Sequence, residues 1–429
     1  MRLIMETYNR FSQVHNSSQN AYVAAASTGI AATNLNGITV HSALQINVTN
    51  HDMPLSNEAV NSYRIAFLDN VKIMFIDECS MIGAELLAII DSRLKQIMFN
   101  YDEPFGGLDI IFSGDLRQLP PVRQTPIYKR RKRSLCEAMV WQALKSYTLT
   151  QVMRQKNEAF SSILTKVGNG EQLDEESKAL IESRFVSEQY ALEHCPSALR
   201  LFHTVAEVDN HNALSIRGED VISHTALDLY AGYNDAEQLA SARNKVHKMK
   251  TRDTGGLPYI LHLQIDKQYM ITTNIDVADG LVNGATGVLR YIEYDCEEDT
   301  ELQKFILERV ITDRSQVKLK RLWLEFERNS KIGKLAKAKC NAYVRSNPHL
   351  HRLWVPIGKR SCDIPLKSKL ISCKRTQIPL VAAMAITMHK SQGMSCDQIV
   401  LHVRQKTHSG PSVRRYVQGD QSRRPLHHQ

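Results

Sequence analysis

Two adjacent carboxylates stand where a buried strand should end. Residues 71–77 read VKIMFID, a continuous apolar run typical of a strand in a parallel sheet, and Asp77 and Glu78 close it. A carboxylate in that place can hold a magnesium ion beside a phosphate, and the next acid can orient or deprotonate an attacking water. Acid pairs after strands are common, so the alternative is an ordinary strand end.

A second set of polar residues follows another apolar strand. Residues 108–115 read LDIIFSGD, and Gln118 lies one turn beyond Asp115. A neutral amide there can bind a phosphate oxygen or a water without adding charge. The alternative is a capped turn before two prolines. Because ligands bind at the carboxyl edge of such sheets, two acidic strand ends at one edge favour a joint site.

A third stretch, ASTGIAATNLNGITVHSALQI, joins a short strand to two helical segments. Thr28 lies between strand and helix, where free backbone amides can bind phosphate. His41 and Ser42 are short polar groups on an otherwise apolar element. The alternative is that Ser27 or Thr28 is a plain helix N-cap.

Two later stretches complete the set of candidate residues. In LTQVMRQ, Arg154 could reach across a cleft to stabilise phosphate charge, or could form a surface ion pair. In ITMHKSQGMS, His389 and Lys390 suit the phosphates of a nucleic-acid strand. Gln392 and Gly393 allow close backbone approach to a ligand.

Composition narrows the class of protein. With 429 residues, 43% hydrophobic and 23% charged, the chain is globular and long enough for two or three domains. It has no apolar run of about 18 residues, and its first residues do not read as a signal peptide, so we expect an intracellular protein without a membrane span. The eight cysteines form no CxxC pair, which argues against zinc sites and disulfides.

The net charge of +9, with a pI of about 9.0, suits a polyanionic partner. Many basic proteins never touch nucleic acid, and part of the excess lies in KRRKR (129–133) and in the tail after residue 403. Charge is therefore a weak argument. KRRKR reads either as a nuclear signal or as a solvated loop.

The elements around the first three stretches alternate between strand and helix. We predict a helix over 2–15, strands over 21–26, 71–77 and 108–115, and an amphipathic helix over 83–98. This alternation predicts a parallel sheet wrapped by helices.

The rest of the chain is more varied. Residues 151–270 read as mostly helical, with 199–204 and 269–276 as candidate strands of a second sheet. From about 285 to 378 the pattern predicts a small β-rich insertion with one helix near 331–345, and 378–403 returns to the α/β style.

Taken in order, these stretches resemble the Pif family of superfamily-one DNA helicases, from residue 1 to about 403. The motifs that carry the resemblance are ASTGIAATNLNGITVHS, FIDECSM, FGGLDIIFSGDLRQLPPV, LTQVMRQ, NIDVADGLVNGATGVL and ITMHKSQGMS. A weaker resemblance, in SRLKQI and PVRQTPIYK, is to helicases carried by Helitron transposons.

The resemblance implies an α/β fold with two RecA-like domains, ATP in the cleft between them, and a small β-barrel inserted in the second. We expect the first domain over 1–148 and the second over 149–429, with the insertion at about 285–378 and an irregular tail at 404–429. It also implies 5′-to-3′ movement on single-stranded DNA, action at DNA junctions, and roles in repair, recombination and telomere maintenance. We expect a monomer in the nucleus, with the mitochondrion as the alternative.

The resemblance assigns roles residue by residue. Asp77 would hold Mg²⁺, Glu78 would activate water, Gln118 would sense the γ-phosphate and Arg154 would reach it from the second domain. The nucleotide side would also include Asp115, Gln392 and Gly393. The residues placed along single-stranded DNA are Thr28, His41, Ser42, His389 and Lys390.

The chain departs from the family at both ends. No GxxxxGK[ST] phosphate loop occurs in it, and a YVALSR-like motif near the end is missing from this reading frame. One choice of codons for residues 413–428, read one base later, gives YVAMSRVTKVVDLYIT. We therefore expect a frameshift or gene-model error between about 403 and 412. Two interpretations stay open: an active helicase represented by an incomplete chain, or an inactive remnant that only binds single-stranded DNA.

Overall fold

The computed structural model divides into two compact units, Met1–Phe185 and Val186–Gln429. It describes residues 1–12, 20–46, 54–67, 70–130, 140–151, 157–232, 235–295, 318–327, 332–364, 366, 372–394, 396, 398–404 and 414–420. The predicted boundary at 148/149 stays a prediction.

The secondary structure alternates first and then becomes rich in strands. The α-helices are α1 (Arg2–Phe11), α2 (Gly29–Asn34), α3 (Val40–Ala43), α4 (Asn57–Phe67), α5 (Ala84–Met98), α6 (Glu158–Asn169), α7 (Glu175–Glu182), α8 (Glu188–His194), α9 (Val205–Ser215), α10 (Ala236–His247) and α11 (Lys334–Ser346). The strands are β1 (Tyr22–Ala26), β2 (Ile38–Thr39), β3 (Ile73–Asp77), β4 (Asp109–Phe112), β5 (Phe185–Val186), β6 (Leu199–Phe202), β7 (Ile222–Thr225), β8 (Leu227–Ala231), β9 (Ile260–Leu263), β10 (Gln268–Ile271), β11 (Thr286–Asp295), β12 (Lys318–Glu325), β13 (Trp354–Gly358), β14 (Arg360–Ile364), β15 (Ser372–Gln377), β16 (Leu380–Ala382), β17 (Ala385–Thr387), β18 (Gln398–Arg404) and β19 (Arg414–Asp420).

The first unit is built on a parallel sheet in the order β2-β1-β3-β4. Strand β3 lies in the middle, and Ile73 to Ile76 are buried, which explains its continuous apolar sequence. Helix α5 packs its predicted apolar face, from Leu86 to Ile97, into the same core. The strands and helix predicted here are confirmed, although β4 ends at Phe112, earlier than the predicted 115.

The second unit contains a sheet in the order β17-β6-β18-β19-β5, in which β6 pairs in parallel with both β17 and β18. The prediction that 199–204 and 269–276 belong to one second sheet is wrong. Strand β6 lies in this sheet, whereas β10 pairs with β11 and β16. Both strands are short and apolar, and their composition does not distinguish one buried sheet from another.

The second unit also contains an antiparallel sheet in the order β13-β12-β11-β10-β16 and a smaller sheet in the order β14-β15-β8. Strands β11 to β15 lie within the predicted insertion at about 285–378, and β8, β10 and β16 lie outside it. Among the described residues of 285–378, the α-helix is α11, which lies close to the predicted 331–345. Strand β19 lies within residues 404–429, which were predicted to be irregular, and pairs with β18. Across the described ranges, no helix is both long and apolar enough to span a membrane.

Candidate functional site

The carboxylate of Asp77 lies at the carboxyl end of β3 and is held from the neighbouring strand. Asp77 is paired in register with Ala26 of β1, and the Ser27 N–H donates to its carbonyl oxygen at 3.2 Å. The hydroxyl of Ser113, just past β4, donates to Asp77 Oδ1. The two neighbouring strands thus hold Asp77, one through its backbone and the other through its carboxylate, and the residue is half-buried.

Glu78 turns the chain sharply after the strand. Its backbone lies in the left-handed region (φ 55°, ψ 47°), and a short 3-10 turn begins at Cys79. Gly114 approaches so closely that a Cβ on it would lie 2.8 Å from the Cys79 nitrogen, which only glycine permits. Burial, followed by the charges of Asp77 and Glu78, raises the pKa of Cys79 to about 11, so this thiol stays neutral.

Asp115 is positioned by Arg117. The guanidinium Nε and the backbone N–H of Arg117 each donate to Asp115 Oδ1 at 3.0 Å. Burial alone would raise the pKa of Asp115, but the hydrogen bonds and charge of Arg117 outweigh it and lower the pKa. Arg117 Nη1 also donates to Asn169 at the end of α6, at 3.0 Å. The Gln118 N–H donates to the Asp115 carbonyl at 2.9 Å, which closes a turn between these two residues, and Gln118 is exposed.

The start of α2 borders the same edge. Thr28 is its N-cap, and its Oγ1 accepts from the Ala31 N–H at 3.3 Å, so the capping interpretation is confirmed. The hydroxyl can still donate, which leaves a role toward a ligand as a prediction. The Ser27 hydroxyl is buried and has no hydrogen-bond partner among the described residues. A buried hydroxyl without a hydrogen-bond partner favours a ligand at this edge of the sheet.

His41 and Ser42 lie on the short helix α3, directly after β2. Thr39 caps this helix by accepting from the Ser42 N–H at 3.2 Å, and the two hydroxyls lie 2.9 Å apart. Ser42 is exposed and His41 is half-buried. Gly37 brings this segment against β1, because a Cβ there would overlap the carbonyl oxygen of Ala24.

The predicted residues of the second unit lie in one stretch after β17. His389 and Lys390 belong to a 3-10 turn, Met388–Ser391, and Gln392 and Gly393 follow it, with Gly393 at φ 80°. Desolvation lowers the pKa of the Lys390 amine from its usual value, and the nearby charge of Asp209 opposes this shift.

The structure therefore gathers part of the predicted set in each unit. In the first unit, Asp77, Glu78, Asp115, Gln118 and Thr28 border the carboxyl edge of one sheet. Arg154 falls outside the described residues.

Sequence reasoning missed two residues that position this set, Ser113 and Arg117. The only signal for them was a hydroxyl and a cation beside the acidic strand ends. Their partners, Asp77 and Asn169, lie 36 and 52 residues away along the chain.

This edge is part of the region that matches a known family. Residues 6–178 match the model described as PIF1-like helicase, which includes Asp77, Glu78, Asp115 and Gln118. Over these residues the chain is similar to PIF1-like helicases. It is 25% identical to the ATP-dependent DNA helicase PIF1 of Emericella nidulans over 412 residues, covering 92% of this chain and 52% of that protein.

Two solved structures share the family fold. The Pif1 helicase from Candida albicans aligns with a TM-score of 0.59 at 21% identity, over 93% of this chain and 80% of that one. Pif1 from Bacteroides in complex with ADP-AlF3 and ssDNA aligns with a TM-score of 0.55 at 20% identity, over 93% and 79%. The predicted α/β fold with two RecA-like domains is thereby confirmed. The chain spans about half the length of the curated relatives it matches.

Proposed function

We propose that this chain is the motor region of an ATP-dependent DNA helicase. The observation that carries the proposal is the edge where Asp77, held by Ser113, lies beside Glu78 and the turn from Asp115 to Gln118. Its chemistry suits phosphoryl transfer, in which positioning and electrostatics supply most of the catalysis. The similarity of the chain to proteins named as ATP-dependent DNA helicases favours ATP as the nucleotide.

The donor set fits a magnesium ion that travels with the nucleotide. Among the described residues, no group of three or more His, Cys, Asp and Glu side chains could hold a metal on its own. Mg²⁺ in nucleotide sites uses one or two carboxylates plus phosphate and water oxygens, so Asp77 alone is a sufficient protein ligand. Bound there, the ion would neutralise charge that develops on the phosphate oxygens.

The remaining residues of this edge would act on the water and the phosphate. Glu78, turned away from the strand by its left-handed backbone, would orient and deprotonate the attacking water. Gln118 would bind the γ-phosphate, with its turn fixed by the Asp115–Arg117 contact. Gln392 and Gly393 are proposed on the nucleotide side, and Arg154 as the cation that reaches the γ-phosphate.

We propose that single-stranded DNA is the strand along which the protein moves. Thr28, His41 and Ser42 of the first unit would contact it, as would His389 and Lys390 of the second. The similar Bacteroides Pif1 was solved in complex with ssDNA and ADP-AlF3, which supports the same pair of ligands here. We extend the proposal to 5′-to-3′ movement by a monomer, to DNA junctions, and to repair, recombination and telomere maintenance in the nucleus or mitochondrion. The division at residues 148 and 149, with an insertion at about 285–378, belongs to it as well.

The decisive experiment compares two carboxamide variants in the protein expressed with its flanking codons. We expect ATP hydrolysis stimulated by oligo-dT, abolished by Glu78→Gln and unchanged by Glu58→Gln. Glu58 is an exposed acid in the first turn of α4, so it controls for the loss of one carboxylate in the same unit. The proposal would be overturned if the Glu78→Gln variant still hydrolysed ATP, or if oligo-dT did not raise the rate of ATP hydrolysis.

A second candidate function is single-strand binding without turnover. It is favoured by the absence of any GxxxxGK[ST] string from the 429 residues, since the amides and Lys of that loop are the main phosphate ligands in such enzymes. The nucleotide sequence of the gene distinguishes these two candidate functions. A phosphate loop encoded upstream and the YVAMSR string in the shifted frame would support the enzyme, whereas stop codons in both places would support the binder.

A further inference from the structure

Helix α11 of the β-rich insertion presents a strongly basic surface that the proposed ATP and single-strand sites do not use. From residue 332 to 362 the sequence contains seven Lys and Arg residues and no Asp or Glu. Lys334, Lys339 and Arg345 on the helix are exposed, and so is Arg352 just beyond it. A run of positive charge without acidic residues in the same stretch favours binding to an anionic partner.

The exposed face of α11 is shaped for close approach. Lys334 and Arg345 project from nearly the same side of the helix, since eleven residues make about three turns, and they lie roughly 16 Å apart along its axis. Ala338 and Ala342, both exposed, lie between them and leave room for a flat or convex surface. Two cations joined by small residues can therefore contact one continuous anionic backbone.

The helix is fixed by contacts on its other sides. At its start, the two carboxylate oxygens of Asp279 accept from the Leu335 and Ala336 N–H groups at 2.7 and 2.8 Å. On the side opposite Lys334, the Tyr343 hydroxyl donates to the buried Glu293 at 2.8 Å, and Glu293 also accepts from Trp323 Nε1 at 2.7 Å. The acids near α11 are thus already committed, and the basic face is preorganised.

We propose that the exposed surface of α11 binds the phosphate backbone of duplex DNA, with Lys334 and Arg345 on one side of the helix and Lys339 about 140° around it. Proteins that hold single strands combine cations with aromatic side chains on which bases stack. The side of α11 with Lys334 and Arg345 carries small residues between its cations, whereas the one aromatic residue of the helix, Tyr343, lies on the opposite side and donates its hydroxyl to Glu293. Such a face suits contacts to phosphates alone, which position a duplex without reading its sequence.

This inference rests on the proposed function, in that a helicase meets the duplex it opens. The two can nevertheless fail separately, because they use different residues. The single-strand proposal uses His389 and Lys390, whereas the duplex proposal uses α11.

The test uses fluorescence anisotropy with the 429-residue chain and two probes, a blunt 20-base-pair duplex and oligo-dT. The variant Lys334→Gln, Lys339→Gln, Arg345→Gln is expected to weaken duplex binding at least tenfold at low salt and to leave oligo-dT binding unchanged. The slope of log K against log salt for the duplex should fall by roughly 2 to 3, because each phosphate that is no longer neutralised removes about 0.9 from it.

Two further variants separate the proposal from a general loss of charge or of fold. Lys245→Gln, Lys248→Gln, Arg217→Gln removes three exposed positive charges elsewhere in the second unit and should leave duplex affinity unchanged. Lys334→Arg, Lys339→Arg, Arg345→Lys keeps every charge and should retain duplex binding.

Some results would overturn the duplex proposal. Equal weakening by both neutralised triples would show that only net charge matters, and loss of oligo-dT binding in step with the duplex would place the single strand on α11. Competition by poly-glutamate as strong as that by duplex would indicate an acidic protein partner instead. If His389→Ala, Lys390→Ala leaves oligo-dT binding intact while the α11 triple still loses the duplex, the single-strand assignment fails and the duplex one stands.

Discussion

The Ser113 hydroxyl donates a hydrogen bond to the Asp77 carboxylate, joining the ends of two neighbouring strands. The Ser113 N–H also donates to the Ile76 carbonyl at 2.9 Å, and the Ser113 carbonyl accepts from the Cys79 N–H at 3.0 Å. Ser113 thus extends the β3–β4 pairing past the last strand residue and fixes where the carboxylate points.

Replacing Ser113 with Ala should lower the free energy of unfolding by about 1–2 kcal/mol, because a hydrogen bond to a charged acceptor is removed. Urea denaturation measures the change. In a double-mutant cycle with Asp77→Asn, we expect a coupling energy above about 0.5 kcal/mol. Additive effects of the two substitutions would contradict the contact.

Gly37→Ala should destabilise the first unit by about 1–3 kcal/mol, because the new methyl would overlap the Ala24 carbonyl and separate β1 from β2. Gly358 provides the matched control. A Cβ there meets nothing within 4 Å, so Gly358→Ala should leave the urea midpoint unchanged. Equal effects at both positions would show that backbone freedom, not the close approach, is what matters.

The buried pair of Arg375 and Asp228 should be costly to break from one side. Arg375 is fully buried and donates to both oxygens of Asp228, at 2.8 and 2.7 Å. Asp228→Asn leaves a buried cation without its anion and should cost about 3–5 kcal/mol in unfolding free energy.

Two comparisons test that explanation. Replacing both partners with apolar residues, Asp228→Leu with Arg375→Met, should recover most of the loss, since no buried charge remains. The exposed pair Lys178–Glu175 is the control, and Glu175→Gln should have no measurable effect on unfolding. A double variant as unstable as Asp228→Asn would refute the argument from unpaired charge.

Stability should fall as the pH drops below about 6.5. Burial, followed by the Arg200 charge, lowers the pKa of His211, and burial followed by the Lys359 charge lowers that of His224. The unfolded chain, with histidine pKa near 6.5, then binds more protons than the folded one, so stability is complete above that pH and is lost as pH falls.

Urea midpoints at pH 7.5 and 5.5 check the sign. His211→Gln should reduce the pH dependence, whereas His349→Gln, at an exposed position after α11, should not. A midpoint that rises toward pH 5.5 would contradict the predicted direction.

Sequence periodicity located most of the first unit because its elements are strongly patterned. The run from Ile73 to Ile76 is buried on both faces, and α5 repeats its apolar residues at helical spacing, so each pattern had one interpretation. Asp77 ends β3 as predicted, whereas Asp115 lies three residues past the end of β4.

Sheet membership and lateral contacts could not be obtained in this way. Strands β6 and β10 are both short and apolar, and which partners they find depends on residues far away in sequence. The Ser113–Asp77 and Arg117–Asn169 contacts likewise join residues that sequence spacing does not bring together. Thr28 shows a third limit, because one residue type serves equally as a helix cap and as a ligand contact.

The pairing of strand β10 bears on how the predicted insertion can vary in length and sequence. This strand pairs with β11, where the chain enters the insertion, and with β16, where the chain leaves it. The predicted insertion therefore begins and ends on the two strands that flank β10 in one sheet. Its length and content can change through evolution, or be exchanged in the laboratory, without displacing β17 and the His389–Gly393 stretch that follows. We therefore expect that the predicted insertion can be exchanged as a unit without altering the sheet that contains β17.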